Sequence, residues 1–239
     1  MKTSTLGYRP VPVAVLGLAA LAILGVTSAP ALTNVLADRY GNIRWESSGG
    51  QSNVNHGGEM KVFMNSGAEE WRGLVAFDLS FLTSDVNFLA ITSAVLKLGI
   101  PTATWTLSPQ SVNLLHKDFV QSQATWNSNS SSSAWATPGA SGASDSTNIA
   151  AGVSSGTGVT PWANGGLNVT AVANDWAQAP DTSRLGFMIY YLPAVGVDST
   201  TYGVPVLEVG ASFAVPEPGV AALLLAGCAV AGLALGRRR

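Results

Sequence analysis

One cysteine, two histidines and a charged fraction of only 11% leave this 239-residue chain short of several kinds of chemistry. The cysteine is Cys228, inside an apolar stretch near the C-terminus. No disulfide can therefore form within the chain, and no pair of thiolates can hold zinc. His56 and His116 are 60 positions apart, and neither belongs to a metal-ligand spacing such as H-E-x-x-H. Loop aspartates leave room for a structural calcium, but no D-x-D-x-D-G array supports one, so no cofactor is expected. Apart from the last three residues there is no run of Lys or Arg, which excludes a basic patch for nucleic acid. Gly152-Val153-Ser154-Ser155-Gly156 matches the spacing of a hydrolase nucleophile elbow. It lies in a Ser/Gly-rich tract, where such a match arises by chance and the required strand-turn-helix setting is missing.

What the chain does have is concentrated first at its ends. Lys2 and Arg9 precede the apolar stretch Val13 to Val26, and small residues come after it at Ala29-Pro30-Ala31 and at Val35-Leu36-Ala37. That order is the one of a secretory signal peptide, placed here at 1–37, with cleavage fitting after either Ala31 or Ala37. At the other end Pro216-Glu217-Pro218 leads into an apolar run from Gly219 to Gly236, closed by Arg237, Arg238 and Arg239. Eighteen helical residues at about 1.5 Å each span roughly 27 Å, close to a bilayer's hydrocarbon thickness. The terminal arginines favour the cytoplasmic side, which puts the rest of the chain outside. Together these features resemble a PEP-CTERM sorting signal at 215–239. The resemblance implies an exosortase as processing partner, a single-pass membrane intermediate, and a final location at the cell envelope, outer surface or extracellular matrix.

Between the ends, residues 38–214 are enough for one domain with a sizeable core. Five of the twelve basic residues sit in the sorting segments, leaving 7 basic against 13 acidic residues in this body, a net charge near −6. Its hydrophobic segments are short and separated by Gly, Ser, Asn and Pro: Glu59 to Met64, Arg72 to Leu79, Ala94 to Ile100, Ser111 to His116, Leu185 to Tyr191 and Pro205 to Phe213. Several alternate, as Leu96, Leu98 and Ile100 do around Lys97, which predicts half-solvated strands. From Asn127 to Gly166 the composition turns to Ser, Gly, Ala, Thr and Asn, predicting long loops with strand fragments near Trp135 and Ile149 and a turn at Asn164-Gly165. Val169, Val172, Ala173, Trp176 and Ala177 keep a helical period and predict one short amphipathic helix. The expected fold is all-β, an antiparallel β-sandwich of jelly-roll type with one short helix, flanked by the N-terminal signal helix and the C-terminal transmembrane helix.

The order of short motifs through this body resembles DNRLRE-type domains. Asn55-His56-Gly57, Arg72-Gly73-Leu74-Val75-Ala76-Phe77-Asp78-Leu79-Ser80 and Ile91 to Leu98 match the first half; Ala124-Thr125-Trp126-Asn127, Trp135, Asn168 to Val172, Asp175-Trp176, Leu185-Gly186-Phe187 and Pro205 to Val209 match the second. The resemblance implies a secreted jelly-roll module related to disaggregatase-related proteins and to carbohydrate-binding modules.

On the residues themselves, Phe77, Leu79, Trp126, Trp135 and Trp176 are read as core. Asp78 accepts hydrogen bonds from the turn at Ser80, and Arg72 pairs with Asp78 or a neighbouring carboxylate. Trp45, Trp71, Trp105 and Trp162 stand in polar or turn-like surroundings. An exposed indole stacks on the apolar face of a sugar and a neighbouring acid accepts its hydroxyls, which makes these four tryptophans, with Glu69 and Glu70, the carbohydrate-binding candidates. The expected function is a non-enzymatic, polysaccharide-associated surface or matrix protein. A polysaccharide hydrolase or lyase and a purely structural matrix protein are the alternatives.

Overall fold

The computed structural model describes residues 32–65, 67–99, 102–103, 109–153, 166–180, 182–192 and 197–214. The signal stretch up to Ala31, Trp105, Trp162, the Asn164-Gly165 turn, most of the G-x-S-x-G match and the whole of 215–239 lie outside them. The described residues belong to one compact unit, Pro30–Ala214. In chain order its elements are β1 (Thr33–Leu36), β2 (Arg39–Glu46), β3 (His56–Gly57), β4 (Met60–Asn65), β5 (Glu69–Phe77), α1 (Ser80–Thr83), β6 (Phe88–Lys97), β7 (Thr102–Ala103) and β8 (Gln110–Leu115). The second half adds β9 (Ser128–Ser130), β10 (Ser133–Ala134), β11 (Ser146–Val153), β12 (Leu167–Asn168), α2 (Thr170–Gln178), β13 (Leu185–Tyr191), β14 (Val197–Tyr202) and β15 (Val206–Phe213). Among the described residues no helix is long and apolar enough to cross a membrane.

The strands form two main antiparallel sheets. The smaller runs β1-β15-β6-β12; the larger runs β11-β8-β13-β5-β4-β14-β7, with β2 on the remaining edge of β5 and β3 beside β2. β5 is the hub. Along Glu69–Trp71 one of its edges pairs with β4, and along Gly73–Phe77 the same edge pairs with β13. Gly73 sits at the changeover because Met60 and Val62 close over it: a Cβ there would lie 3.0 Å from Met60 Cε.

Strand composition reflects what each strand faces. In β13 and the second half of β5 the apolar residues run almost without break, as expected where both faces are covered. One face of these strands meets the smaller sheet: Val75, Phe77, Phe187 and Ile189 pack with Ala94, Leu96, Leu207 and Val209, all essentially buried. The Phe77 and Phe187 rings meet edge-on at 6.4 Å. On the opposite face Ile43, Leu74, Ala76, Leu115 and Met188 are covered by the long excursion between β8 and β11, through Phe119, Ala124, Trp126, Trp135 and Ala140. The larger sheet is thus clad twice, by a second sheet inside and by a Ser/Asn-rich excursion outside.

Several expectations hold. The body is all-β and antiparallel, in a sandwich-like arrangement. The helix comes at Thr170–Gln178 with Ala173, Trp176 and Ala177 buried, and Trp126 and Trp135 are core residues. Asp78 accepts the Ser80 backbone N–H at 2.9 Å. Arg72 pairs with a neighbouring carboxylate, that of Glu70. Others are corrected. β6 starts at Phe88, six residues earlier than the alternation indicates, β2 and β14 are additional strands, and the one-turn α1 is a second helix where one was expected. Trp45 and Trp71 consequently stand inside β2 and β5, in a regular ladder rather than in turns.

Candidate functional site

Antiparallel pairing places directly opposed residues on one face, and Arg44↔Trp71, Trp45↔Glu70 and Glu46↔Glu69 are such pairs. Four of the six expected sugar-contacting residues therefore gather at one end of the β2–β5 ribbon. They are divided between its faces, because successive strand residues point opposite ways. Trp71 and Glu69 share one face, Trp45 and Glu70 the other. Trp105 and Trp162 lie outside the described residues.

On the first face the Trp71 ring is flanked by two cations and an imidazole. The Lys61 ammonium lies 4.5 Å from the ring centroid, the Arg44 guanidinium 4.9 Å, and the His56 ring 5.0 Å. Such cation–π contacts stabilise by about 0.5–1 kcal/mol each when partly exposed. Glu69 accepts from Trp71 Nε1 and takes Arg44 Nε at 2.6 Å, while Glu46 pairs with the other end of the same guanidinium. Burial, reinforced by Arg44, holds the His56 imidazole below its ordinary 6.5 and keeps it neutral at pH 7. The charged groups of Glu69 and Arg44 are turned toward one another, while His56 Nε2 is buried without a hydrogen-bond partner among the described residues.

The second face is the outer face of the larger sheet at the rim of the excursion, against whose apolar cluster Trp45 and Tyr190 pack. Trp45 and Glu70 start a row that continues through Arg72 on β5, Tyr190 on β13, Ser111 on β8 and Asn148 on β11. Tyr190 pairs with Ser111, and Asn148 opposes Asn113, the next residue of β8 on that face. Asn148 Nδ2 donates to Ser111 Oγ and, at 3.1 Å, to Asn113 Oδ1. Arg72 anchors the middle: its guanidinium lies 4.9 Å from the Tyr190 ring and 4.7 Å from the Trp126 ring, Nε donates to Glu70 at 2.6 Å and Nη1 to the Gly139 carbonyl at 2.6 Å. Trp45 and Tyr190 are partly exposed, Glu70 and Arg72 are mostly buried, Ser111 and Asn113 are buried, and Asn148 is exposed. Five adjacent strands at about 4.8 Å spacing make this row about 19 Å long.

A third feature is an open groove of about 480 Å³ lined by Arg39, Asn55, Gly57, Gly58, Val120, Gln121 and Ser122. Its polar groups are largely committed to the fold. Asn55 Nδ2 donates to the Gln121 and Ala124 carbonyls, both at 2.8 Å, and Arg39 Nη1 donates to the Phe119 carbonyl at 2.6 Å. Gly57 is needed for the close approach, since a Cβ would lie 2.7 Å from the Gln121 carbonyl oxygen. The Asn-His-Gly element is thus a clamp on the excursion.

Tyr190, Ser111, Asn113 and Asn148 were not among the expected contacts. The signal for two of them is visible in Ser111-Val112-Asn113-Leu114, where polar residues alternate with apolar ones and mark a polar strand face. Among the described residues no group of three or more His, Cys, Asp or Glu side chains is placed to hold a metal ion. In comparisons with known proteins, no family model matches the chain and no curated protein matches it.

Proposed function

We propose that the chain is an exported, non-enzymatic surface or matrix protein that associates with extracellular polysaccharide through the row Trp45–Glu70–Arg72–Tyr190–Asn148. The observation that carries this reading is the row itself, two partly exposed aromatic side chains and three polar ones aligned on the outer sheet face at the rim of the excursion, with the buried Ser111 hydroxyl holding the exposed Asn148. Aromatic rings supply apolar contact to sugar C–H faces, and amide, hydroxyl, carboxylate and guanidinium groups exchange hydrogen bonds with sugar hydroxyls. A long shallow row suits a polymer better than a small molecule, which needs an enclosing pocket. The reading includes a jelly-roll connectivity for the body, export directed by residues 1–37, a membrane-spanning tail at 219–236, and exosortase processing at Pro216-Glu217-Pro218.

Glu69 and Glu70 project to opposite faces, and each is paired with an arginine of its own face. Two carboxylates facing each other across a sugar, as glycoside hydrolysis needs, are not what this pair provides.

The test is binding of the purified protein to a panel of polysaccharides. Trp45→Ala and Tyr190→Ala should each weaken binding about tenfold, or about 1.4 kcal/mol, whereas Trp71→Ala, on the other face, should leave affinity unchanged. Equal loss with Trp71→Ala would move the site to the opposite face. Release of reducing ends or unsaturated sugars by the wild-type protein would replace the binding role with hydrolase or lyase activity, and silence in both assays would leave a structural matrix role.

A further inference from the structure

At one end of the sandwich four large apolar side chains face solvent: Val86 at 96% exposure, Leu89 at 54%, Phe81 at 51% and Phe213 at 41%. They come from α1, the loop behind it, the start of β6 and the end of β15. The arrangement is held rather than loose. Asp85 Oδ1 accepts the Asn87 N–H at 2.8 Å, Phe88 N donates to the Asp85 carbonyl at 3.0 Å, and the Phe88 and Phe213 rings meet edge-on at 6.2 Å. The same loop fastens the point where the chain leaves the body, because Ala214 N donates to the Asn87 carbonyl at 2.7 Å.

The residues immediately after Ala214 identify the occupant. Only Val215-Pro216-Glu217-Pro218 separates Ala214 from the apolar run beginning at Gly219. Five residue steps of at most about 3.6 Å reach no more than about 18 Å. A body tethered so briefly to a membrane-spanning run must keep this end close to the bilayer, and exposed Phe, Leu and Val side chains there are those that partition into the interfacial layer. Residues 80–90 contain no Lys or Arg, so the attraction is apolar and does not call for anionic lipid.

We propose that the end formed by Phe81, Val86, Leu89 and Phe213 is a foot that rests on the phospholipid bilayer while the tail is anchored. The inference rests on the membrane-spanning reading of the tail. It adds an orientation: β15 stands upright on the membrane, with Val204 at its far end and about 23 Å of strand between them, so that the sandwich is presented end-on.

Cys228 is the only cysteine, so site-directed labelling is clean in a Cys228→Ser background. The full chain is placed in phosphatidylcholine vesicles with a nitroxide at Val86→Cys or, as the control, at Val204→Cys, which is also an exposed apolar position at 47%. Flotation of the vesicles reports anchoring, circular dichroism reports the fold, and the ratio of oxygen to nickel-chelate accessibility reports the label's surroundings. The expected result is a several-fold higher ratio at Val86 than at Val204, unchanged when phosphatidylglycerol is added. Two equal, water-like ratios in a chain that still floats with the vesicles would overturn the foot and leave the anchor standing. Spin–spin broadening between Val86 labels would overturn it in favour of contact with a second copy. A chain that does not float would remove the anchoring reading, and the foot with it.

Discussion

Asp145 shows how a single carboxylate secures a segment that has little hydrophobic means of its own. Its side chain is fully buried; it accepts the Ala136 and Thr137 backbone N–H groups at 2.8 and 2.9 Å and takes the Lys117 ammonium at 2.8 Å. Burial alone would raise its pKa, but the Lys117 contact and the two backbone donors outweigh burial and hold it below the ordinary 3.8. Its contribution is therefore complete above about pH 4 and is lost as pH falls through the lowered folded value. Asp145→Asn replaces one acceptor oxygen by a donor facing a donor, at a cost of about 2–3 kcal/mol. The expected outcome is a melting temperature lower by about 5–10 °C at pH 7, with the gap to wild type closing as the pH drops below 4. Thermal denaturation of both proteins across that range checks it, and a gap that stays constant to pH 2 would remove the carboxylate from the account.

At the scale of elements, α2 does two jobs with two stripes. Its apolar stripe fills the core. Its polar stripe, Thr170, Asn174 and Gln178 at four-residue intervals, lies along β6 and satisfies that strand's outer edge. Thr170 Oγ1 accepts from Ala94 N at 2.9 Å, Asn174 Oδ1 accepts from Ile91 N at 3.1 Å, and Gln178 Nε2 donates to the Leu89 carbonyl at 2.7 Å. Val169 N adds a bond to the Ala94 carbonyl at 2.9 Å. β12 extends this edge only opposite Val95 and Leu96, so the helix side chains stand in for the strand that is missing. Asn174→Leu keeps helix propensity but leaves the Ile91 N–H unpaired, a loss of about 1–2 kcal/mol. Native-state hydrogen exchange should then show the Ile91 amide opening about tenfold or more faster, with core amides of β13 little changed. The apolar stripe was legible in the sequence because packing requires its period; the polar stripe was not, because three polar residues on a helix read as a solvent face until the strand beside them is known. β2 escaped for a related reason. In Arg39–Glu46 the charged and glycine residues dilute the alternation of Ile43 and Trp45, and it is the eight-residue ladder to β5 that makes it a strand.

Over the whole molecule, the all-β architecture was written into spaced apolar runs and turn residues, and the inner core into their alternation. The outer cladding was legible only in part: Trp126 and Trp135 read as core residues, but that they join Phe119 and Ala140 in a second cluster on the far side of the sheet was not, because these residues are widely spaced among polar ones and meet only against the sheet. The architecture also bears on the two signal-peptide cleavage positions of the proposed export. β1, residues 33–36, lies between them. It extends the smaller sheet at β15, pairing Thr33–Leu36 with Val206–Val209, and Val35 packs against the inner core. The next residues then cross to the larger sheet, Ala37 N donating to the Pro205 carbonyl and Asp38 N to the Ala76 carbonyl, both at 3.0 Å. β1 is thus one of the covalent ties between the sheets and the cover on the edge of β15. Cleavage after Ala37 would remove it, exposing four residues of strand edge and part of the core; with hydrogen bonds at about 1 kcal/mol net and a partly buried Val, the loss is about 3–5 kcal/mol. Cleavage after Ala31 keeps it. The mature protein should therefore begin at Leu32, which mass spectrometry of the exported protein's N-terminal peptide reads directly. A body of residues 32–214 should melt about 10 °C above one of residues 38–214. Equal melting temperatures, or a mature N-terminus at Asp38, would show that the smaller sheet closes without its first strand.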